Sequence, residues 1–261
     1  MKRILGICLA ICLITSNAYG GSGYDGAVKF LSHFNGATGD KPTPATTGQV
    51  ITYVGTAQVS TATTEPLTNP PDTAVLLLDG DSDWLTIPDS PDWYWDGDFT
   101  IDGWFYWNSV AASTTLLSQF ETEDDIKGWR LEWQLGATTL NFGMTTAATY
   151  GGPSGFNVSV VWTPTINTWY HIAVTKSGTT YRIYVDGIEE TSSVVAVALV
   201  NMANDLYIGA RRGYAAQNHF AFNGYIDELR ISKGIARWTA DFSTSLPTRE
   251  YIKYIPEASS T

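Results

Sequence analysis

Short runs of alternating apolar and polar residues, separated by turn-forming residues, dominate the sequence. Successive side chains of a β-strand point to opposite faces, so alternation with a period of two indicates a strand with one buried face. The clearest runs are residues 99–107, 170–175, 181–185, 206–209 and 224–231. Asp186-Gly187 predicts a type I′ hairpin turn, because both residues adopt positive φ at low cost. Helical periodicity is nearly absent, so the sequence predicts an all-β, antiparallel sandwich.

Residues 1–20 have the layout of a secretory signal peptide. Lys2 and Arg3 form a basic start, residues 4–14 form an apolar run, and Ala18-Tyr19-Gly20 supplies small residues before a cleavage point. A membrane-spanning helix needs roughly 20 apolar residues, so this run is short for an anchor. The sequence therefore predicts a secreted, extracellular protein without a membrane span.

Removal of residues 1–20 changes both the cysteine content and the charge. Cys8 and Cys12 are the two cysteines, so the mature domain has neither a disulfide nor thiol chemistry. Residues 1–20 hold two of the 15 basic residues and none of the 26 acidic residues. The mature domain therefore has 13 basic and 26 acidic residues, and its net charge is −13. Such a surface repels nucleic acid and anionic lipid, and it suits calcium, cationic groups or neutral sugars.

Two segments depart from the strand pattern. Residues 41–73 hold ten Thr and five Pro, and they predict either thin edge strands, such as residues 50–54, or a surface loop. Residues 247–261 have the character of a tail, although residues 251–255 have strand propensity. We therefore expect one domain at residues 21–250 and a C-terminal tail at residues 251–261.

Several longer segments carry a common pattern. They are VKFLSHFNG, LLLDGDSDWLTIPDSPDW, DFTIDGWFYW, WYHIAVTKSGTTYRIYVDG, LYIGA and FNGYIDELRISKGIARW. As a set they resemble a laminin G-like domain of the concanavalin A-like lectin/glucanase superfamily, over roughly residues 24–250. The resemblance implies a jelly-roll sandwich of two curved antiparallel sheets. It also implies a protein that binds sugars or proteins or holds an assembly together, although some relatives are glycosidases.

The acids do not form the pattern that glycoside hydrolysis needs. Relatives that hydrolyse sugars carry two carboxylates on one strand face, and retention of configuration requires a separation of about 5–5.5 Å. Residues 121–125 hold four acids without interleaved apolar residues, which indicates a solvated loop. Glu132 has no acid two or three residues away, and the neighbours Asp227 and Glu228 point to opposite faces of a strand. We therefore expect no enzyme, and a glycoside hydrolase is the least favoured function.

The three histidines also favour structure over catalysis. They are scattered singly, at His33, His171 and His219, and no known catalytic motif surrounds them. A lone histidine that alternates with strand residues, as His171 does, is expected to have a structural role.

Asp227 is the acid that most needs a partner. Strand alternation places Asp227 on the same face as Leu229 and Ile231, which is the predicted core face. Glu228 and Arg230 then face solvent as a weak ion pair. A buried carboxylate without a partner costs several kcal/mol, so Asp227 needs backbone N–H donors, an Arg or a cation.

Structural calcium is one of these alternatives. Similar domains often hold Ca²⁺ at the edge of the sandwich, and their pattern implies Asp227 as a ligand here, with Asp81 as a less certain partner. Asp81 lies in the acidic stretch Asp79-Gly80-Asp81-Ser82-Asp83. The alternative is that these acids cap backbone amides in a turn.

Aromatic residues supply the candidate ligand contacts. The rings of residues 104–107 are expected to pack within the sandwich, because aromatic residues favour strands and fill β cores. Aromatic residues near turns are more exposed in general, so the predicted ligand-binding residues are Trp93, Trp129, Tyr150 and Tyr214.

Two functions follow from these observations. The first is a secreted, non-catalytic domain that binds a glycan or an extracellular protein, as in cell adhesion. The second is a self-assembling subunit of an extracellular fibre, sheath or surface layer, which forms a homo-oligomer or polymer. That subunit would be glycosylated on Thr residues or at Asn157, which opens the N-linked acceptor triplet Asn157-Val158-Ser159.

Overall fold

The computed structural model describes residues 26–63, 66–68, 73–120, 128–145, 155–196, 201–212 and 220–251. In these residues fifteen strands form two antiparallel sheets, and the helical elements are two 3₁₀ turns at Pro91–Trp93 and Ser243–Ser245. No helix in these segments is long and apolar enough to cross a membrane. The all-β prediction is confirmed. Residues 1–20 lie outside the described residues, so the signal peptide stays a prediction.

Sheet A has eight strands. In spatial order they are β13 (Ile188–Val194), β12 (Thr180–Val185), β11 (Trp169–Ser177), β6 (Phe99–Trp107), β15 (Asn223–Lys233), β4 (Val75–Asp79) and β3 (Gln58–Ser60), with β1 (Val28–Ser32) also paired to β15. β4 pairs with the first part of β15 and β1 with its second part. The two short strands therefore lie end to end beside one long strand.

Sheet B has seven strands. In spatial order they are β10 (Gly155–Val161), β9 (Thr139–Thr145), β8 (Trp129–Gln134), β7 (Thr114–Gln119), β14 (Leu206–Ile208), β5 (Trp84–Ile87) and β2 (Thr52–Val54). The Thr-rich residues 41–73 supply β2 and β3, which lie at one edge of sheet B and of sheet A, respectively. Both alternatives for this segment hold in part: residues 52–54 and 58–60 form edge strands, and its other described residues form turns and loops.

The core between the sheets is built around aromatic rings. Trp95 lies 4.2 Å from both Phe99 and Trp129, measured between ring centroids, and Phe142 and Tyr181 extend the group. Aromatic pairs at these distances stabilise a fold by about 0.5–1.5 kcal/mol beyond the area that they bury. The aromatic residues thus join β6 of sheet A to β8 and β9 of sheet B.

The chain after β15 crosses the outer face of sheet A, and we call residues 235–251 the C-terminal strap. Trp238 and Phe242 stack at 3.9 Å and pack on Ala173 and Tyr184. The ring nitrogen of Trp104 donates a hydrogen bond to the strap carbonyl of Pro247. Both faces of sheet A are therefore covered, which explains why eight of the nine residues of β6 are buried.

Tyr251 belongs to the strap and to the folded domain. Its side chain is buried, and its hydroxyl donates a hydrogen bond to the carboxylate of Asp102. The predicted tail at residues 251–261 therefore begins too early, because local strand propensity does not show that the chain end packs on a distant strand. Residues 252–261 lie outside the described residues.

A fully buried ion pair joins β6 and β15 beneath the strap. Nε and Nη2 of Arg230 donate to the two oxygens of Asp102 at 3.0 Å each, and neither side chain is exposed. Burial alone would raise the pKa of Asp102, but Arg230 and His171 reverse that effect and hold the pKa well below its usual range. The prediction that Arg230 faces solvent is wrong.

Replacing Arg230 should cost much more stability than replacing Arg182, a partly exposed arginine of the same sheet whose side chain is 18% exposed. Arg230→Met leaves a buried carboxylate without its cation, so we expect a loss of about 3–5 kcal/mol in the free energy of unfolding. Arg182 contacts Glu189 at 3.2 Å near the sheet edge, and Arg182→Met should cost about 0–1 kcal/mol. Urea denaturation measures both, and equal losses would contradict the structural role of the buried pair.

Stability should also fall in acid because of Asp102. Its pKa is lower in the folded protein than in the unfolded chain, so its contribution is complete above about pH 4 and is lost as the pH falls toward the folded pKa. We expect the free energy of unfolding to drop more steeply between pH 5 and pH 2 in the wild type than in Asp102→Asn. Parallel pH profiles for the two proteins would refute this.

Candidate functional site

A β-bulge at Asp227 and Glu228 interrupts the alternation of β15. Asp227 lies opposite Trp104 and Arg230 lies opposite Asp102, so three steps along β15 match two along β6. Glu228 takes up the extra residue with a φ of 48°. The bulge shifts the side-chain phase, which puts Asp227 and Arg230 on the outer face of sheet A. The predicted core-facing Asp227 and solvent-facing Glu228 are therefore both wrong.

The two acids of the bulge have different partners. An Asp227 carboxylate oxygen accepts a hydrogen bond from the Glu228 backbone N–H at 2.8 Å. Glu228 is 2% exposed, accepts from the Tyr251 backbone N–H at 2.7 Å and lies 2.5 Å from Nδ1 of His33. Burial alone would lower the pKa of His33, but the contact with Glu228 raises it overall. The bulge thus links β15 to the strap and to the residue that follows β1.

The acidic turn between β4 and β5 caps backbone amides. Asp79 accepts from the Asp81 N–H at 2.9 Å, and the buried Asp83 accepts from the Thr56 N–H at 2.5 Å. The register pairs Asp79 with Asn223, four residues before Asp227, which corresponds to roughly 13 Å along the strand. The structure therefore does not bring Asp81 and Asp227 together, and calcium at either residue stays a prediction.

Two of the four predicted ligand-binding rings lie in the core. Trp93 is 1% exposed and donates from its ring nitrogen to the Pro88 carbonyl, and Trp129 is 4% exposed against Trp95. The prediction that Trp93 and Trp129 offer exposed rings is wrong, because a 3₁₀ turn and an inward-facing strand position direct them into the sandwich. Tyr150 and Tyr214 lie outside the described residues.

The other aromatic prediction is confirmed, because the β6 rings pack in the structure as expected. Trp104, Phe105 and Trp107 are buried, and Tyr106 is half-buried. His171 is also buried, with its ring edge-on to Trp104 and near Asp102. Its surroundings support the structural role that the sequence predicts.

A row of polar side chains crosses the outer face of sheet B. Strand register aligns Thr115 of β7, Glu132 of β8, Asn141 of β9 and Ser159 of β10. Side chains directly opposite each other on neighbouring strands lie about 4.5–5.5 Å apart, so these four form one continuous band. We call this band the polar row.

Glu132 is the charged centre of the polar row. It is 3% exposed, and its carboxylate accepts from Arg130 Nε at 2.7 Å and from Gln134 Nε2 at 2.5 Å. Arg211 Nη1 lies 3.8 Å from its other oxygen, and the Arg211 guanidinium lies over the Phe220 ring. Both carboxylate oxygens are therefore engaged by cationic or amide groups.

Within the polar row, Asn141 and Thr115 have side-chain polar atoms that are buried without a hydrogen-bond partner. Asn141 is 2% exposed, and neither its amide oxygen nor its amide nitrogen has a partner. The Thr115 hydroxyl is also buried without a hydrogen-bond partner. A buried polar group left unsatisfied costs about 1–3 kcal/mol, so the polar row is suited to a ligand that supplies donors and acceptors.

The polar row was not recognised from the sequence. The sequence indicates Glu132 only as an acid to test for catalysis, and it does not indicate Asn141 or Thr115 as site residues. The alternation of WRLEWQ does place Arg130, Glu132 and Gln134 on one face, which is the signal that the sequence offers. The partner strands could not be known without the register.

Asn157 lies on β10, next to the polar row. Its side chain is exposed, and β10 is an edge strand of sheet B. This position is accessible to a glycan, and glycosylation of Asn157 stays a prediction. The acidic run at residues 121–125 lies outside the described residues, in the connection between β7 and β8.

Sequence comparison assigns the family. A laminin G family model, described as the Concanavalin A-like lectin/glucanases superfamily, matches residues 79–237. The chain therefore belongs to this laminin G-like family, and the resemblance found in the sequence is confirmed. No curated protein matches the chain.

Solved structures with the same fold include toxin binding domains. The botulinum neurotoxin serotype D binding domain aligns with a TM-score of 0.55 at 12% identity, over 81% of this chain and 49% of that chain. The botulinum neurotoxin DC binding domain aligns at 15% identity in two complexes, with SialylT (TM-score 0.53) and with rat synaptotagmin II (TM-score 0.54). Each of these complexes also aligns over 81% of this chain and 49% of the other. This chain thus spans about half the length of these structures, and the likeness shows the fold.

Trp93→Ala should act on stability and leave ligand specificity unchanged. Removing a buried tryptophan creates a cavity, so we expect a loss of about 3–5 kcal/mol in the free energy of unfolding. Tyr94→Ala, at the half-buried neighbouring residue, is the matched control and should cost less. Chemical denaturation gives both values. A stable Trp93→Ala protein that has lost glycan binding would show that this ring contacts ligand after all.

Proposed function

We propose that the protein is a secreted, non-catalytic binding domain that takes a carbohydrate on the outer face of sheet B. The observation that carries this proposal is the unpartnered Asn141 amide in the polar row. An amide offers one acceptor oxygen and two N–H donors, which match the paired donor and acceptor hydroxyls of a sugar. The Thr115 hydroxyl, two strands away in the same row, adds a further contact.

We propose that a sugar reaches Asn141 by displacing side chains around Glu132. Arg130 and Arg211, which approach Glu132 from its two sides, are 20% and 18% exposed. A sugar that displaces one of them reaches the polar row while the strands stay in register.

The carboxylates of sheet B support binding rather than hydrolysis. Within its seven strands as the structure describes them, Glu132 is the single acid. Hydrolysis by the usual route needs two carboxyl groups on either side of the scissile bond. A lone carboxylate held by Arg130 and Gln134 orients hydrogen-bonding groups instead. Secretion is inferred from the basic start, apolar run and small residues of residues 1–20.

The decisive experiment compares Asn141→Ala with Asn108→Ala on a glycan array. Asn108 follows β6 in sheet A, so its replacement controls for the loss of an asparagine away from the polar row. We expect the wild type and Asn108→Ala to bind the same glycans, and Asn141→Ala to bind at least about tenfold more weakly. Melting temperatures check that each variant is folded.

Two results would overturn the proposal. The first is a folded Asn141→Ala protein that binds glycans as the wild type does. The second is a wild type that binds none, for example one that associates only with copies of itself in light scattering. Shortening of a bound polysaccharide by the pure protein would contradict the non-catalytic part.

A further inference from the structure

Three metal-ligating side chains meet where β1, β15 and the strap come together. His33 follows β1, Glu228 is the bulge residue of β15, and Glu250 lies in the strap. One ligand atom from each lies within 4.8 Å of the other two, and no other trio of this kind occurs in the described part of the chain. We call these three residues the junction cluster.

The spacing of the junction cluster is close to that of a tetrahedral metal site. Nδ1 of His33 lies 3.5 Å from Glu250 Oε1 and 2.5 Å from Glu228 Oε1. Zinc ligands at about 2.0–2.2 Å from the ion stand about 3.4 Å from one another in a tetrahedral site. The Glu250 oxygen already meets this spacing, and the Glu228 oxygen needs to withdraw by roughly 1 Å.

Outer hydrogen bonds hold both carboxylates in place. The second oxygen of Glu228 accepts from the Tyr251 backbone N–H at 2.7 Å. The Glu250 oxygen that faces His33, Oε1, accepts from the Asn35 amide at 2.9 Å and keeps a second lone pair for an ion. Ligating carboxylates in metal sites are commonly fixed by bonds of this kind. The side chains of His33 and Glu250 are 12% and 19% exposed, so an ion and a water ligand can reach the cluster from solvent.

The chemistry of the three ligand atoms selects the ion. One imidazole nitrogen and two carboxylate oxygens are a donor set that Zn²⁺ accepts, with water in the fourth position. Calcium takes six to eight oxygen ligands, which is more than these three side chains supply. Two carboxylates facing one histidine also leave an excess of negative charge that a divalent cation neutralises.

We propose that His33, Glu228 and Glu250 bind one Zn²⁺-like divalent cation that ties β1, β15 and the strap together. The site differs from the predicted calcium ligands Asp227 and Asp81, and it is independent of the polar row on sheet B. Because the ion binds the folded arrangement of three distant segments, it stabilises the folded state in proportion to its concentration and affinity.

The test uses the full domain after treatment with a chelator. Zn²⁺ is titrated by calorimetry at pH 7.5, and the melting temperature is measured with Zn²⁺, Ca²⁺ and Mg²⁺ in parallel. The variants are His33→Gln and Glu250→Gln, both at partly exposed positions, where Gln keeps hydrogen-bonding capacity. Glu190→Gln, at an exposed glutamate of β13, is the matched control.

We expect one Zn²⁺ per chain and a higher melting temperature in the wild type and in Glu190→Gln. His33→Gln and Glu250→Gln should each bind Zn²⁺ at least about tenfold more weakly. Co²⁺ absorption in the wild type reports nitrogen and oxygen coordination without relying on any variant. The proposal fails if Zn²⁺ neither binds nor raises the melting temperature, if Ca²⁺ stabilises more than Zn²⁺, or if both variants retain wild-type affinity.

Discussion

The buried ion pair between Asp102 and Arg230 constrains the strands of sheet A around it and the strap that covers it. Both side chains are fully buried on the outer face of the sheet, where a strand would ordinarily meet water. Two charges removed from water are tolerated only when their geometry is good and their remaining hydrogen-bonding groups are satisfied. The bidentate contact supplies the geometry, and the Tyr251 hydroxyl bonds one Asp102 oxygen. The strap therefore supplies a hydrogen bond to the ion pair, in addition to covering it.

The bulge in β15 makes this arrangement possible. With strict alternation, Arg230 and Asp227 would point to opposite faces, because they are three residues apart. The additional residue at Glu228 brings both onto the outer face and turns Arg230 toward Asp102. It also falls where the neighbour of β15 changes from β4 to β1, so the irregular backbone meets no continuous partner strand on that side. One irregularity thus positions the ion pair, the Glu228 carboxylate and the contact with the strap.

The parts of the fold that local sequence determines were predictable. β6 spans the predicted residues 99–107, and the Asp186-Gly187 turn adopts the positive φ values of 48° and 76° that a type I′ hairpin requires. The bulge was not predictable from alternation, because a positive φ at a glutamate has no signature in the residues around it. The exposure predicted for Trp93 is wrong for a related reason. Its inward direction comes from a 3₁₀ turn and a hydrogen bond to Pro88. Alternation locates strands such as β6 and β15, but it does not indicate β7, β9 or β10, and it does not find the deviations that reorient side chains.

The same limit applies to the two candidate sites, because local pattern indicates single strands but not how the strands pair. The alternation of β8 indicates that Arg130, Glu132 and Gln134 share one face, yet the polar row exists only because four strands are in a particular register. The junction cluster joins residues 195 positions apart in the chain, His33 and Glu228, and depends on the bulge as well. Register and bulges are tertiary properties, because they are decided by which strands pair and where the pairing slips.

The outer faces of the two sheets carry different groups of polar residues. The chain covers the outer face of sheet A with its own strap, and that face holds the ion pair and the junction cluster, which join distant segments. In the described residues, buried polar atoms without a partner occur in both sheets, for example at His171 Nδ1 in sheet A, but those of Asn141 and Thr115 in sheet B are aligned in one row with Glu132. Buried polar atoms without a hydrogen-bond partner lower the stability of the fold. Their presence is explained if a ligand supplies the missing hydrogen bonds. The face that the strap covers and the face that carries the polar row are opposite sides of one sandwich, so changes to the polar row should leave the packing of sheet A intact.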